Sequence, residues 1–341
     1  MVRIRWLLVV ALTLGACGEV GGEPSAGGVR LRLGYLPNIT HATALVGVAE
    51  GIFARALGTA ATLRTTTFNA GPEAVEALFS GALDAAYLGP NPAINAHAQS
   101  DGEAIRIVAG ATSGGAFLVT TPAITTVDQL RGTTLATPQL GNTQDVALRS
   151  YLKENGLSSD TSGGGDVSVK PQANADTLAQ FQAGRIDGAW VPEPWATRLV
   201  QEGGGRILVD ERDRWPGARY VTTHLVVRAA FLDDHPDVVK RLLLGHVEAT
   251  ALVNADPVRA RADANAQIDR LTQKPLAASV IDAAWANLTF TNDPVASSLS
   301  KSARDAEAAG LLDAVDLTAI YDLRLLNEVL AASGDAAVQG L

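Results

Sequence analysis

The chain has 341 residues, of which 47% are hydrophobic and 18% are charged, and its formal net charge at pH 7 is −9. This composition indicates a globular protein. The excess of acidic side chains argues against a nucleic-acid partner, because a phosphate backbone is recognised by clustered Lys and Arg. A single Cys excludes an intramolecular disulfide.

The N-terminus predicts export. Residues 1–5 form a basic start that contains two Arg residues, and residues 6–14 form an apolar run too short to cross a bilayer comfortably. Small residues precede Cys17. The position of Cys17 resembles a bacterial lipobox; an ordinary signal peptide with an incidental Cys is the alternative. We expect residues 1–17 to be a lipoprotein signal peptide with its lipobox, and Cys17 to be the lipidation site. Residues 18–28, rich in Gly, Ser, Pro and Glu, are then a flexible tether to the outer face of the cytoplasmic membrane.

The first half of the remaining chain reads as alternating strands and helices. A strand and polar loop at residues 33–38 are followed by a helix that ends near Gly51. A helix over residues 73–79 stops at Gly81, because Gly adopts the left-handed conformation at low cost. A buried strand follows and delivers a Pro-rich loop at residues 88–92.

The second half repeats these elements. Residues 135–142 predict a strand and a polar loop, and the next helix ends near Gly156. A helix over residues 176–182 stops at Gly184, and a buried strand leads to a second Pro-rich loop at residues 191–195. In open α/β sheets ligands bind outside the carboxyl ends of the strands. The repeat therefore predicts two similar α/β lobes with a ligand cleft between them.

The last third is predicted to be helical and to pack on the first lobe. The four predicted helices cover residues 236–254, 276–287, 295–309 and 317–332. We expect lobe one to comprise residues 29–120 and 225–341, with the C-terminal helices, and lobe two to comprise residues 121–224. The two crossings that form the hinge are expected near residues 118–122 and 222–226.

Motifs for catalysis are absent from the sequence. It contains no nucleophile elbow, no His-Glu-x-x-His and no phosphate-binding P-loop. The five His residues are scattered, so their spacing does not indicate a metal site. We predict no catalytic residue, no cofactor and no metal. His41, at the start of a helix, and His224, where the chain returns from lobe two, are the His residues that could face the cleft.

The loops offer neutral hydrogen-bond donors at helix N-termini. Asn38, Asn91 and Asn142 each stand just before or at the start of a helix. Free backbone N–H groups and the helix dipole make such positions suited to an anion, although these residues could be N-caps only. We interpret Trp195 as an aromatic that covers the ligand's carbon skeleton and Trp190 as core.

These motifs together resemble the nitrate/taurine/aliphatic-sulfonate group of ABC-transporter solute-binding proteins. The resemblance runs from about residue 29 to about residue 231 and implies a type II periplasmic-binding-protein fold. In that fold two α/β lobes, joined by two crossings, close on an oxyanion held largely by backbone N–H groups and neutral side chains. The ligand-binding positions that the resemblance implies are Asn38, His41, Gly89, Asn91, Ser113, Gly114, Asn142, Thr143, Trp195 and His224.

The resemblance implies a non-enzymatic, lipid-anchored, extracytoplasmic receptor. We expect a monomer that closes on a small sulfonate-like or other oxyanionic organic ligand and delivers it to an ABC permease. Two alternatives stay open: a thiamine-pyrimidine-related enzyme of the same fold, and a ligand-binding sensor that contacts a signalling protein. The export signal and the lack of a cofactor motif argue against the enzyme.

Overall fold

The computed structural model describes residues 28–341. The predicted signal peptide, the predicted lipidation site Cys17 and all but the last residue of the predicted tether lie outside the described residues. The strands are β1 (Val29–Tyr35), β2 (Ala61–Thr67), β3 (Ala85–Leu88), β4 (Ile105–Gly114), β5 (Ala116–Thr120), β6 (Thr134–Thr137), β7 (Ser168–Pro171), β8 (Gly188–Pro192), β9 (Arg206–Asp210), β10 (Val221–Arg228) and β11 (Leu288–Phe290).

Helices separate most of these strands. In chain order they are α1 (Ala42–Ala49), α2 (Ile52–Leu57), α3 (Gly71–Phe79), α4 (Pro90–Gln99), α5 (Thr143–Glu154), α6 (Asn174–Gln182), α7 (Trp195–Gln201), α8 (Ala229–Asp234), α9 (Pro236–Ala255), α10 (Pro257–Thr272), α11 (Ala278–Trp285), α12 (Ala296–Ala308) and α13 (Arg324–Ser333). No helix among residues 28–341 has the length and apolar character needed to span a membrane.

The strands form two sheets with matching order. The first sheet has the order β11-β4-β10-β3-β1-β2, and the second has the order β7-β6-β8-β5-β9. In each sheet a central strand pairs in parallel with two neighbours: β1 with β2 and β3, and β6 with β7 and β8. An antiparallel strand then follows, β10 beside β3 and β5 beside β8. Both sheets therefore share one topology, as the repeat predicts.

Each sheet buries apolar side chains on both faces. The first sheet separates a large cluster that contains Leu33 and Leu225 from a smaller one that contains Leu88 and Ile107. The second sheet has a cluster around Trp190 on one face and one around Phe117 on the other. Strands covered on both faces read as nearly continuous apolar runs, which is why β3 and β8 were recognisable in the sequence.

The chain passes between the sheets at two points. The first is between β4 and β5, where Gly114 and Gly115 both have positive φ, +80° and +75°. The second lies between β9 and β10. The predicted division placed residues 116–120 in lobe one and residues 221–224 in lobe two, whereas β5 pairs within the second sheet and β10 within the first. The lobe boundaries and the hinge position stay predictions.

The C-terminal helices differ from expectation in three respects. The helix predicted over residues 317–332 begins only at Arg324, as α13. The helix α10 lies between two predicted helices, where we predicted none; Pro257 occupies its first position and Asp256 caps it. In addition, α11 and α12 contact the second lobe as well as the first. Ser279 of α11 hydrogen-bonds Gln201 of α7, at 3.1 Å between side-chain oxygens, and the carbonyl of Ala308 accepts from Lys153 of α5.

Candidate ligand-binding cleft

A narrow cavity of about 30 Å³ lies between the two sheets, at the carboxyl ends of their parallel strands. Its walls come from the loops that follow β1, β2 and β3 on one side and β6, β7 and β8 on the other, with β10 at the junction. The first side contributes Leu36, Asn38, Thr40, His41, Asn69, Gly71, Leu88, Gly89, Thr222 and Thr223, and the second contributes Pro138, Asn142, Thr143, Gln144, Asn174 and Pro192.

The two lobes touch across this cavity. A Cβ atom on Gly89, at the start of α4, would lie only 2.4 Å from the hydroxyl oxygen of Thr143 in α5. The side-chain amide of Asn95 also donates to the carbonyl of Gly141, at 3.4 Å. The cleft is therefore closed, and Gly89 permits the close approach because it has no side chain.

His41 faces the cavity as a neutral donor. Burial lowers the pKa of His41 to about 3, so its ring carries no charge at neutral pH. The backbone N–H of Leu36 donates to Nδ1 at 3.4 Å, which assigns the proton of the neutral ring to Nε2. His41 therefore offers one N–H donor, and its ring stays uncharged across the physiological pH range.

Asn38 and Asn142 are N-caps, as one reading of the sequence proposed. Oδ1 of Asn38 accepts from the backbone N–H of Thr40 at 3.1 Å, and Oδ1 of Asn142 accepts from that of Thr143 at 2.8 Å. Capping uses the amide oxygen, so the NH₂ group of each side chain stays available to donate. A cap and a ligand contact are thus compatible at both positions.

The loop that carries Asn142 is held by a buried ion pair. Asp145 is fully buried and pairs with Arg149 at 3.1 Å. It also accepts from the hydroxyl of Thr137 and the backbone N–H of Gly141, at 2.8 and 3.0 Å. These bonds fix the turn between β6 and α5 and with it the position of the α5 N-terminus.

Three polar atoms in the cavity wall have no hydrogen-bond partner although they are buried. They are Oγ1 of Thr143, Oγ1 of Thr223 and Oδ1 of Asn174. Buried polar atoms in native proteins are nearly always paired, so an unpaired group calls for an explanation. None of the described residues that line the cavity is Asp, Glu, Lys or Arg. The cavity thus combines uncharged polar groups with unused hydrogen-bonding capacity.

The structure brings five of the predicted ligand positions together in this cavity: Asn38, His41, Gly89, Asn142 and Thr143. Contact with a ligand at these positions stays a prediction.

The other five predicted positions lie outside the cavity. Asn91 donates to the carbonyl of Ser302 at 3.2 Å, and His224 is fully buried with Nε2 3.0 Å from the carbonyl of Pro294. Trp195 packs on the second lobe under the guanidinium of Arg198, 4.7 Å from the ring centre.

Ser113 and Gly114 line a different cavity, of about 200 Å³, beside the crossing between β4 and β5. Glu193 also lies away from the cleft. Its carboxylate is almost fully buried and accepts from Asn287 at 2.7 Å, which links the second lobe to the C-terminal region. Trp190 is core, as predicted, and its indole N–H donates to Glu211 at 2.7 Å.

Asn174 is the cavity residue that the sequence analysis missed most clearly. It follows β7 and begins α6, as the loop containing Asn69 and Gly71 follows β2 and begins α3. The repeat contained this signal, because Asn69 precedes the predicted helix over residues 73–79 and Asn174 precedes its counterpart over residues 176–182.

The two sheets, their shared topology and the cleft between them define the two-lobe α/β fold of periplasmic binding proteins, as predicted. Residues 25–268 match the NMT1-like family, and the chain belongs to this family.

Solved structures of binding proteins share this fold at low sequence identity. The alkanesulfonate-binding protein SsuA from Xanthomonas axonopodis pv. citri, bound to MOPS, superposes with a TM-score of 0.68 and 20% identity, over 85% of this chain and 96% of that chain. The periplasmic nitrate-binding protein NrtA from Synechocystis PCC 6803 gives a TM-score of 0.70 and 16% identity, over 89% of both chains.

Two relatives match by sequence over part of their length. The taurine-binding periplasmic protein of Escherichia coli (strain K12) is 28% identical over 214 residues, which is 63% of this chain and 64% of that protein. The bicarbonate transport ATP-binding protein CmpC of Synechocystis is 27% identical over 248 residues, 67% of this chain and 36% of that protein. The matched part of the chain thus spans less than two thirds of either relative.

Proposed function

We propose that the protein is the extracytoplasmic solute-binding receptor of an ABC importer and binds a small sulfonate-like or other oxyanionic organic ligand by cleft closure. The observation that carries this proposal is the set of three unpartnered buried polar atoms in a closed, uncharged cavity between two lobes. A buried polar group without a partner costs about 1–3 kcal/mol, and a ligand that bonds to these atoms removes that cost. Membership of the NMT1-like family and the names of the similar binding proteins support the same reading.

The donors around the cavity suit an oxyanion head group. The N–H of His41 and the free amides of Asn38 and Asn142 can each donate to a sulfonate or carboxylate oxygen. The α5 N-terminus adds the positive end of a 12-residue helix. Because none of the lining residues among 28–341 is cationic, the head group would be held by hydrogen bonds and dipoles, without an ion pair.

A binding role, without catalysis, is favoured over the thiamine-pyrimidine-related enzyme. The relatives and structures named above are binding or transport proteins by name. The sensor alternative differs only in its partner, so co-purification with a membrane permease separates the two. The ABC permease as partner and the monomeric state are part of this proposal.

Membrane attachment through Cys17 also belongs to the proposal. Export with acylation of Cys17 would place the receptor on the outer face of the cytoplasmic membrane. Cys17→Ser should abolish acylation and release the protein from the detergent phase in partitioning experiments. Unchanged membrane retention of a correctly cleaved Cys17→Ser protein would contradict the lipobox.

Calorimetric titration with sulfonates, nitrate and bicarbonate tests the binding site. A ligand at about 100 times its Kd should also stabilise the protein by about 2.7 kcal/mol in thermal unfolding. Asn142→Ala should weaken binding about tenfold or more, because it removes a hydrogen bond to a charged group. Ser113→Ala is the matched control, since Ser113 lies in the other cavity, and it should leave affinity unchanged. Normal affinity in Asn142→Ala together with a loss in Ser113→Ala would indicate that the ligand binds in the cavity lined by Ser113, beside the crossing between β4 and β5.

A further inference from the structure

One of the three unpartnered atoms in the cavity can only accept a hydrogen bond. The hydroxyls of Thr143 and Thr223 can donate or accept, so they would adapt to almost any ligand. Oδ1 of Asn174 is an amide carbonyl oxygen and can only accept. It is buried without a partner, and Asn174 lines the cavity.

No donor among residues 28–341 hydrogen-bonds to this oxygen. The side-chain amide of Gln172, on the same loop, donates to Thr177 at 3.3 Å. Among the described residues that line the cavity there is no Lys or Arg that could turn toward it. The backbone holds the loop in place, because the N–H of Gln172 donates to the carbonyl of Thr137 in the neighbouring strand at 2.8 Å.

The lobe-one wall of the cavity offers donors. Asn38 uses its carbonyl oxygen to cap the turn at Thr40, and Nδ1 of His41 accepts from the backbone of Leu36. Both side chains are left with donors. A ligand that spans the cavity thus meets donors at the lobe-one wall and an acceptor at Asn174.

We propose that Asn174 is a specificity-determining residue that selects ligands carrying a hydrogen-bond donor, an ammonium, N–H or O–H group, in addition to an anionic acceptor head. The inference rests on the proposed function and narrows its ligand class. A small zwitterion fits best, because its charges sum to zero and an uncharged cavity offers no counter-ion for a net charge. The acceptor head then lies among the donors of His41, Asn38 and Asn142, and the donor group lies at Asn174.

Two pairs of probes, each with one member that carries a donor and one that lacks it, test the inference by calorimetry at pH 7. The first pair is 2-aminoethanesulfonate and ethanesulfonate, and the second is bicarbonate and nitrate. In the wild-type protein the donor-bearing member of a pair should bind about tenfold more tightly or better, since the other leaves Asn174 unpaired.

Variants at Asn174 assign the preference to this side chain. Asn174→Leu should reduce the preference to less than about threefold, mainly by weakening the donor-bearing member. Asn174→Asp keeps the acceptor oxygen, replaces the amide NH₂ with a second acceptor oxygen, and should keep or widen the preference. Gln139→Leu is the matched control: Gln139 also has a buried carbonyl oxygen without a partner, on the adjacent loop, but does not line the cavity. It should leave the preference unchanged.

The outcomes separate the inference from the function on which it rests. Binding of both members of a pair with equal affinity would overturn the role of Asn174 and leave a solute-binding receptor. A preference that survives in Asn174→Leu, or disappears in Gln139→Leu, would also overturn it. If none of the four probes binds to the wild-type protein, the proposed ligand class fails, and the inference fails with it.

Discussion

Asp84 in the first lobe and Asp187 in the second occupy equivalent positions just before β3 and β8, and they make the same backbone contacts. The N–H of Asp84 donates to the carbonyl of Arg32 at 2.9 Å, and its carboxylate accepts from the N–H of Arg32 at 2.9 Å. Asp187 makes both contacts with Thr134, each at 2.8 Å. In both lobes the carboxylate thus ties the buried strand to its parallel neighbour at the strand entry.

The surroundings of the two carboxylates differ. Asp84 is fully buried and pairs with the side chains of Arg32 and Arg228, at 2.5 and 3.3 Å. Asp187 is half-buried and forms no salt bridge within residues 28–341. The repeated Gly-x-x-Asp pattern therefore specifies the backbone contact, whereas the charge around it is set separately in each lobe by residues distant in sequence.

The buried acids of the two lobes also differ in protonation. Burial would raise the pKa of Asp84, but hydrogen bonds from Arg32 outweigh it and lower the pKa below its ordinary value. In the second lobe, burial raises the pKa of Glu211 to about 7, against the hydrogen bond from Trp190 and the charge of Arg214. A fall in pH should thus destabilise the first lobe through Asp84, and a rise in pH should destabilise the second lobe through Glu211.

The largest expected effect is on stability at the two equivalent aspartates. Asp84→Ala removes the partner of two guanidinium groups and should lower the free energy of unfolding by about 3 kcal/mol, the low end for a buried ion pair, because both Arg side chains are partly exposed. Asp187→Ala should cost about 1–2 kcal/mol, the cost of unsatisfied backbone hydrogen bonds. Urea unfolding at pH 7 measures both. Equal losses would mean that the arginines contribute nothing beyond the shared contact.

Glu211 should make the stability of the second lobe depend on pH with a sign opposite to that of Asp84. Its folded-state pKa of about 7 lies above the ordinary value of 4.5, so its contribution is complete below pH 4.5 and is lost as pH rises through 7. Glu211→Gln cannot ionise and keeps an oxygen for the indole of Trp190. At pH 8 this variant should be more stable than the wild type by about 3 kcal/mol, and at pH 4.5 the two should be similar.

Urea unfolding at several pH values between 4.5 and 8 tests this prediction. Glu154→Gln is the control, because Glu154 is more exposed and its pKa is lowered. It should show no gain in stability at high pH. A Glu211→Gln protein that is less stable than the wild type at pH 8 would show that the carboxylate form is favoured in the fold.

Local chemistry made much of the fold predictable from the sequence. Gly81 and Gly184 have φ of +69° and +66° and end α3 and α6, because a left-handed residue at a helix end favours Gly wherever it occurs. The uninterrupted apolar character of β3 and β8 likewise depends only on burial within one lobe. These signals lie within a few residues of the feature they predict.

The candidate site was less predictable, because its residues depend on partners far along the chain. Asn91 and His224 have the residue types of a ligand site, but the amide of Asn91 and Nε2 of His224 are paired with the carbonyls of Ser302 and Pro294. No local pattern indicates which carbonyl will lie opposite a buried amide. Trp195 is different, since Arg198 stands one helical turn later and its stacking on the indole follows from that spacing.

The contact between Gly89 and Thr143 joins the two lobes and gives the smallest expected effect. Gly89 has φ of −72° and ψ of 165°, which Ala adopts without strain, so Gly89→Ala should change the free energy of unfolding by less than about 0.5 kcal/mol. Its Cβ, however, would lie 2.4 Å from Oγ1 of Thr143 and would hold the lobes apart. We expect ligand affinity to fall about tenfold, or about 1.4 kcal/mol, and the ligand-induced decrease in radius of gyration to diminish in small-angle scattering. The double variant Gly89→Ala/Thr143→Ala removes the colliding oxygen and should recover the compaction, even though the hydrogen bond proposed between Thr143 and the ligand is lost. Normal affinity and full compaction in Gly89→Ala would mean that the ligand-bound lobes do not approach as closely as they do here.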